Sequence, residues 1–201
     1  MTAAAFDEIL KRLVAAGARF VVIGGLALGA RGVVRATKDI DIVVAPDPEN
    51  LKLIAEVAVA AGGHVQRGEA LLGTPFSIAA ELASGEQMAI ETDLGRLDIV
   101  QGLDGVPSFE ELHSRATEAE VLGVNVAVCS VEDLRAMKEA AGRGQDLVDL
   151  ENLEAAEGSS GESFVPDTSF EAIRKRLGTE PATSAEFEAE VGPVQPPGGE
   201  G

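Results

Sequence analysis

The chain has 201 residues and a formal net charge of −18, with 34 acids against 16 bases. That length allows one compact domain plus an extension, and so acidic a field disfavours nucleic acid as a broad-surface partner. No apolar run approaches the length of a membrane span, and the lone cysteine, Cys129, excludes an internal disulfide and fits a reducing cytoplasm.

In chain order, Phe6, Ile9, Leu10 and Leu13 share one face of an amphipathic helix, which stands where a secretion signal would begin. Gly17 ends that helix, and residues 20–23 form a short apolar strand. A helix can start after Gly24-Gly25, over 26–30, weakened by Gly29 and Gly32. Residues 40–44 are a second strand, stopped by Pro46 and Pro48. Asp47 as N-cap and Pro48 at the first helical position predict a helix over about 49–61. Between 62 and 87 the pattern is ambiguous, with short strands around Val65 and over 76–80. Residues 88–92 and 96–100 read as a hairpin through Leu94-Gly95. A helix near 109–115, strands near 121–122 and 124–129, and helices over 131–141 and 145–156 complete the body. Alternating strands and helices predict an α/β or α+β fold, a mixed sheet flanked by helices. The body spans 1–157. Residues 158–201, rich in Gly, Ser, Glu and Pro, read as a flexible acidic tail with one short amphipathic helix over 168–177.

The chemistry concentrates early. Val22-Ile23-Gly24-Gly25 leaves the first strand, and thirteen residues later Asp39-Ile40-Asp41-Ile42 opens the second. Strand side chains alternate, so Asp39 and Asp41 share one face and Ile40 and Ile42 the other. Two carboxylates side by side on a buried strand repel each other and are poorly solvated. A hard divalent cation relieves that repulsion, and Mg²⁺ prefers one or two carboxylates with substrate phosphates completing its shell. A glycine pair lets backbone approach a ligand closely, and a following helix start favours an anion. The arrangement suits a metal-bound triphosphate. Arg31, Arg35 and Lys38 supply a local basic cluster beside it.

This arrangement resembles the polymerase-β-like nucleotidyltransferase superfamily, whose pattern is Gly-Gly or Gly-Ser, a spacer, then Asp-apolar-Asp on a strand. Leu97-Asp98-Ile99 matches that family's third carboxylate, and Arg35-Ala36-Thr37-Lys38-Asp39 resembles the lead-in of its minimal members. The segments 133–138 and 141–150 resemble their closing helices, so the likeness covers roughly residues 1–155. Toxin-like nucleotidyltransferases of toxin–antitoxin pairs lie in the same neighbourhood. The resemblance implies an Mg²⁺-dependent enzyme, with two ions, that moves an NMP from an NTP such as ATP onto a hydroxyl of an RNA end, a protein or a small molecule. It makes Asp39, Asp41 and Asp98 the catalytic and metal-binding acids. Gly24, Gly25, Arg35, Thr37, Lys38, Lys138 and Arg143 become the nucleotide-binding residues. A further reading makes the chain half of a toxin–antitoxin pair with an antitoxin-like protein as partner; the setting expected is the cytoplasm, away from membranes. The alternative is a non-catalytic nucleotide-binding or protein-interaction module that kept the fold; loss of one acid would mark it, and all three acids are present. Asp146 and Asp149 read as a solvated helical face or as partners of Arg143. Cys129 reads as a packed strand residue, and His64 and His113 receive no role.

Overall fold

The computed structural model describes residues 3–33, 36–103 and 105–158. The segment assigned to the acidic tail lies outside the described residues, apart from its first position. Among those described, seven helices surround two sheets. Helix α1 (Ala3–Ala15) buries Phe6, Ile9, Leu10 and Leu13. Strand β1 (Phe20–Val22) leads into α2 (Gly24–Ala30), which starts two residues earlier than the glycine content predicted. Strand β2 (Asp39–Val44) carries the acid pair, and α3 (Pro48–Ala60) follows with Asp47 capping the Asn50 amide. The buried Asn50 ties the strand ends together: its amide donates to the carbonyls of Arg19 and Ala45 and its Oδ1 accepts from the Arg19 N–H at 2.7 Å.

A small hairpin, β3 (Val65–Arg67) with β4 (Ala70–Leu72), forms the second sheet. The next segment departs from the sequence reading, because 76–80 is not a strand. It lies within α4 (Pro75–Leu82), started by Pro75 at the first helical position and by a capping box between Thr74 and Ser77. The local start signal wins over the alternation of Phe76, Ile78 and Ala80, and only Ile78 of those three reaches the core.

The hairpin β5 (Met88–Thr92) and β6 (Gly95–Ile99) forms as predicted, turning through Asp93-Leu94. Helix α5 (Phe109–Arg115) has its own capping box, Ser108 with Glu111. Strands β7 (Thr117–Val121) and β8 (Val124–Val128) pair through Leu122-Gly123. Both turn residues have positive φ, 52° and 78°, as a type I′ hairpin requires. Helices α6 (Val131–Ala141) and α7 (Gly144–Gly158) complete the described residues, with Gly142 left-handed at the bend.

The main sheet has the order β5-β6-β2-β1-β8-β7. Strand β2 runs parallel to β6 and β1 parallel to β8, while β1–β2 and both outer hairpins are antiparallel. The mixed sheet is therefore as expected. Its central residues, among them Ile40, Ile42, Leu97 and Ile99, are wholly buried in one apolar core. Among the described residues no helix is long and apolar enough to cross a membrane.

Candidate active site

The parallel register of β2 and β6 builds the site. Asp39 stands opposite Arg96 and Asp41 opposite Asp98. Residues in register on adjacent strands point to the same side, so three carboxylates and one guanidinium occupy the four corners of one patch of sheet. Asp39 and Asp41 are half-buried, Ile40 and Ile42 fully buried between and beyond them, and Asp98 is 6 % exposed.

Gly24 and Gly25 lie against this patch. Gly24 has φ +63°, and a Cβ built there would lie 2.8 Å from Asp41 Cγ. A Cβ on Gly25 would meet Thr37 Oγ1 at 2.8 Å. Both positions thus require glycine for space, and Gly24 also for conformation. The Thr37 hydroxyl donates to the Asp39 carbonyl at 3.0 Å and to Asp39 Oδ1 at 3.2 Å, fixing the first acid.

The charges are unbalanced. Asp41 is pushed up to about 6, first by burial and then by the negative charges of Asp39 and Asp98; the Gly25 amide and the Lys138 ammonium act in the opposite direction. Asp98 accepts a hydrogen bond from Arg96 Nε at 2.7 Å. That bond is the largest of the influences raising the Arg96 pKa, with Glu91 and Asp39 adding to it.

Asp146 and Asp149 depart from the expected solvated face, and neither is paired to the Arg143 side chain. They are 6 % and 2 % exposed, and each accepts from Lys138 Nζ at 2.7 Å. Asp146 also accepts from the backbone N–H of Arg143 at 3.2 Å, whose own side chain is exposed. Lys38 is exposed in the turn before β2, and Arg35 lies outside the described residues. Arg31 does not join a basic cluster at the acids: its guanidinium donates to the Cys129 carbonyl at 2.7 Å and to Thr117 Oγ1 at 2.9 Å, tying α2 to the β7–β8 hairpin. Cys129 is buried, with burial raising its thiol to about 12, so it packs and does not react.

The donor set fits a hard cation. Asp39 and Asp41 offer carboxylate oxygens side by side, and their mutual repulsion, read in Asp41, is what a metal would relieve. Asp98 is turned to Arg96, and among the described residues no three acidic, imidazole or thiol side chains close on a single point. An apolar recess of about 250 Å³, lined by Pro46, Leu51 and the exposed Phe76 among others, lies past the other end of β2 and includes none of these acids.

Comparison with known proteins gives the class. A family described as "Nucleotidyl transferase of unknown function (DUF2204)" matches residues 2–180. The chain belongs to that family, and is a nucleotidyl transferase by that membership. A search of curated proteins finds no match. Among solved structures, the chain is similar to a "putative nucleotidyltransferase (TM1012)" from Thermotoga maritima at 18% identity, over 87% of this chain and 91% of that one, with a TM-score of 0.44. It is also similar to ANT(2")-Ia in complex with adenylyl-2"-tobramycin, at 16% identity over 76% of this chain and 97% of that one, with a TM-score of 0.43. At these scores the two likenesses carry no argument about substrate.

Proposed function

We propose that this nucleotidyl transferase uses Mg²⁺ to move an NMP from an NTP onto a hydroxyl acceptor. The observation that carries the reading is the strand register that sets Asp41 beside Asp98 and next to Gly24. A module that only bound a partner would have no need to gather three like charges at the cost visible in Asp41.

In this reading Asp39 and Asp41 hold the metal, with two ions in the complete site, and Asp98 completes the set. Bound there, Mg²⁺ supplies charge neutralisation for the triphosphate and for the attacking and leaving oxygens. Gly24 and Gly25 bring bare backbone against the phosphates, where any side chain would collide with Asp41 or Thr37. Thr37 holds Asp39 in place. Lys138 contributes positive charge near Asp41, while Lys38, Arg35 and Arg143 are the further bases available to the phosphates. Asp98 accepts the proton as the acceptor hydroxyl attacks the α-phosphorus, the bond to the bridging oxygen breaks, and pyrophosphate leaves.

The acceptor is an RNA end, a protein side chain or a small molecule. The acidic surface favours the last two. A role as the toxin of a toxin–antitoxin pair rests on the sequence resemblance alone, and co-purification of a small partner tests it. A cytoplasmic setting suits an NTP substrate and the free buried thiol of Cys129. The function is tested by offering α-phosphate-labelled ATP, CTP, GTP and UTP with Mg²⁺ to total RNA, cell protein and small-molecule extract. Label entering one fraction with the native protein and absent with Asp41→Asn supports the reading. No transfer from any nucleotide counts against it.

A further inference from the structure

Arg96 has no role in the reaction proposed above, yet it occupies the fourth corner of the charged patch. It sits two residues before Asp98 on β6, hence on the same face, and in register with Asp39 on β2. Its Nε donates to Asp98 Oδ1 at 2.7 Å, and its Nη1 lies 3.8 Å from Glu91 Oε1 on β5. Among the described residues, Asp98 is therefore the one acid of the three that is hydrogen-bonded to a basic side chain.

The two ends of this pair differ in exposure. The Asp98 side chain is 9 % exposed and the Arg96 side chain 45 % exposed. Only one nitrogen of the guanidinium is hydrogen-bonded to Asp98, so the pair is not a bidentate fork. The guanidinium itself faces solvent and is joined by a single bond, so the arginine can swing outward, provided another cation takes its place beside the buried Asp98 carboxylate. Asp98 cannot move as freely, because it is held on a central strand between Leu97 and Ile99, both fully buried. The acid is fixed and its counter-ion is replaceable.

We propose that Arg96 is a resident counter-cation that Asp98 exchanges for a divalent metal: the guanidinium holds Asp98 in the metal-free protein and must leave before all three carboxylates can act on one ion. This inference rests on the metal-binding reading of Asp39, Asp41 and Asp98 given above. It accounts for why those acids share one patch while no three of them converge. The arginine then sets a threshold. The acid pair on β2 can engage a cation first, and closure of the third acid follows only when the cation outcompetes Arg96.

The test is direct titration of Mn²⁺, counting free ion by its spin-resonance signal, on the full chain as four proteins: native, Arg96→Gln, Asp98→Asn and the double variant. Arg96→Gln is expected to bind Mn²⁺ roughly two- to fivefold more tightly than native. In the Asp98→Asn background, where there is no acid left to contest, the same change is expected to leave affinity unaltered. Equal tightening in both backgrounds would mean only that a nearby positive charge has gone, and would overturn the exchange. Unchanged or weaker binding by Arg96→Gln would also overturn it. Were neither native nor Arg96→Gln to bind Mn²⁺ at millimolar concentration, the metal-binding reading itself would fall, and this inference with it. Arg96→Lys, which keeps the charge and the fold of an exposed strand position, provides a second reading. It should fall between native and Arg96→Gln if the guanidinium's bond to Asp98 is what the metal displaces.

Discussion

Gly24 packs directly onto Asp41: a methyl group at Gly24 would lie 2.8 Å from the acid's Cγ and closer still to its carboxylate oxygen. The glycine turn and the acid strand, separated in sequence, are thus one structural unit. Gly24→Ala forces a left-handed backbone on an alanine and drives a methyl into the carboxylate. The expected loss is about 2–4 kcal/mol in urea unfolding, with Asp41 displaced and transfer activity lost. An alanine variant that melts and turns over like native protein would break the link between turn and acid.

Asp41 gives a prediction with an unusual sign. Its carboxyl is raised from 3.8 to about 6 in the folded chain, so between those values the native state holds more protons than the unfolded state. Stability contributed by this group is therefore fully present below about pH 4 and is lost as pH rises through 6. In metal-free buffer at pH 7.5, Asp41→Asn should be more stable than native by on the order of 2–3 kcal/mol, a rise of several degrees in melting temperature. The gap should close at pH 4. A variant destabilised at pH 7.5 would show that the charge is compensated in a way the site geometry omits.

Metal addition should erase that advantage. A cation that binds only the folded acids raises the melting temperature of native protein in proportion to ligand excess. The shift should appear above pH 6 and shrink below it, because Asp41 must release its proton to bind. Differential scanning with and without millimolar Mg²⁺ at pH 5 and pH 8 checks this. Equal shifts at both pH values would place the ion elsewhere.

Lys138 lies between Asp146 and Asp149 with an 11 % exposed side chain. Lys138→Met leaves two buried carboxylates without their ammonium and should cost about 3–5 kcal/mol in urea. Lys138→Met/Asp149→Leu should recover much of that loss, since removing both partners leaves fewer charges stranded. No recovery in the double variant would mean that Asp149 is held chiefly by its other contacts.

How far the sequence carried can be judged residue by residue. The period-two spacing of Asp39 and Asp41, with the apolar neighbours Ile40 and Ile42, is enough to place the acids on one face, and β2 forms that way. The helix over 76–80 was missed because three apolar residues at alternate positions looked like a strand, although the Thr74-Pro75 start signal was in plain view. The partners of Lys138 were not legible. Asp146 and Asp149 lie eight and eleven residues further on, and only the left-handed bend at Gly142 folds α7 back on α6. Likewise Arg31 leaves the expected basic cluster because its guanidinium binds a carbonyl beside a neighbouring hairpin, a long-range contact that spacing along the chain does not encode. The place of Arg96 opposite Asp39 follows only from the parallel register of two strands far apart in sequence.

Two labels on one nucleotide distinguish transfer of the nucleotidyl group from transfer of the terminal phosphate. Native protein is incubated with Mg²⁺ and an acceptor fraction, using ATP labelled at the α-phosphate in one arm and at the γ-phosphate in the other. The α-label is expected on the acceptor and the γ-label in released pyrophosphate, with neither product formed by Asp41→Asn. Recovery of the γ-label on the acceptor, with the α-label left in free ADP, would contradict nucleotidyl transfer.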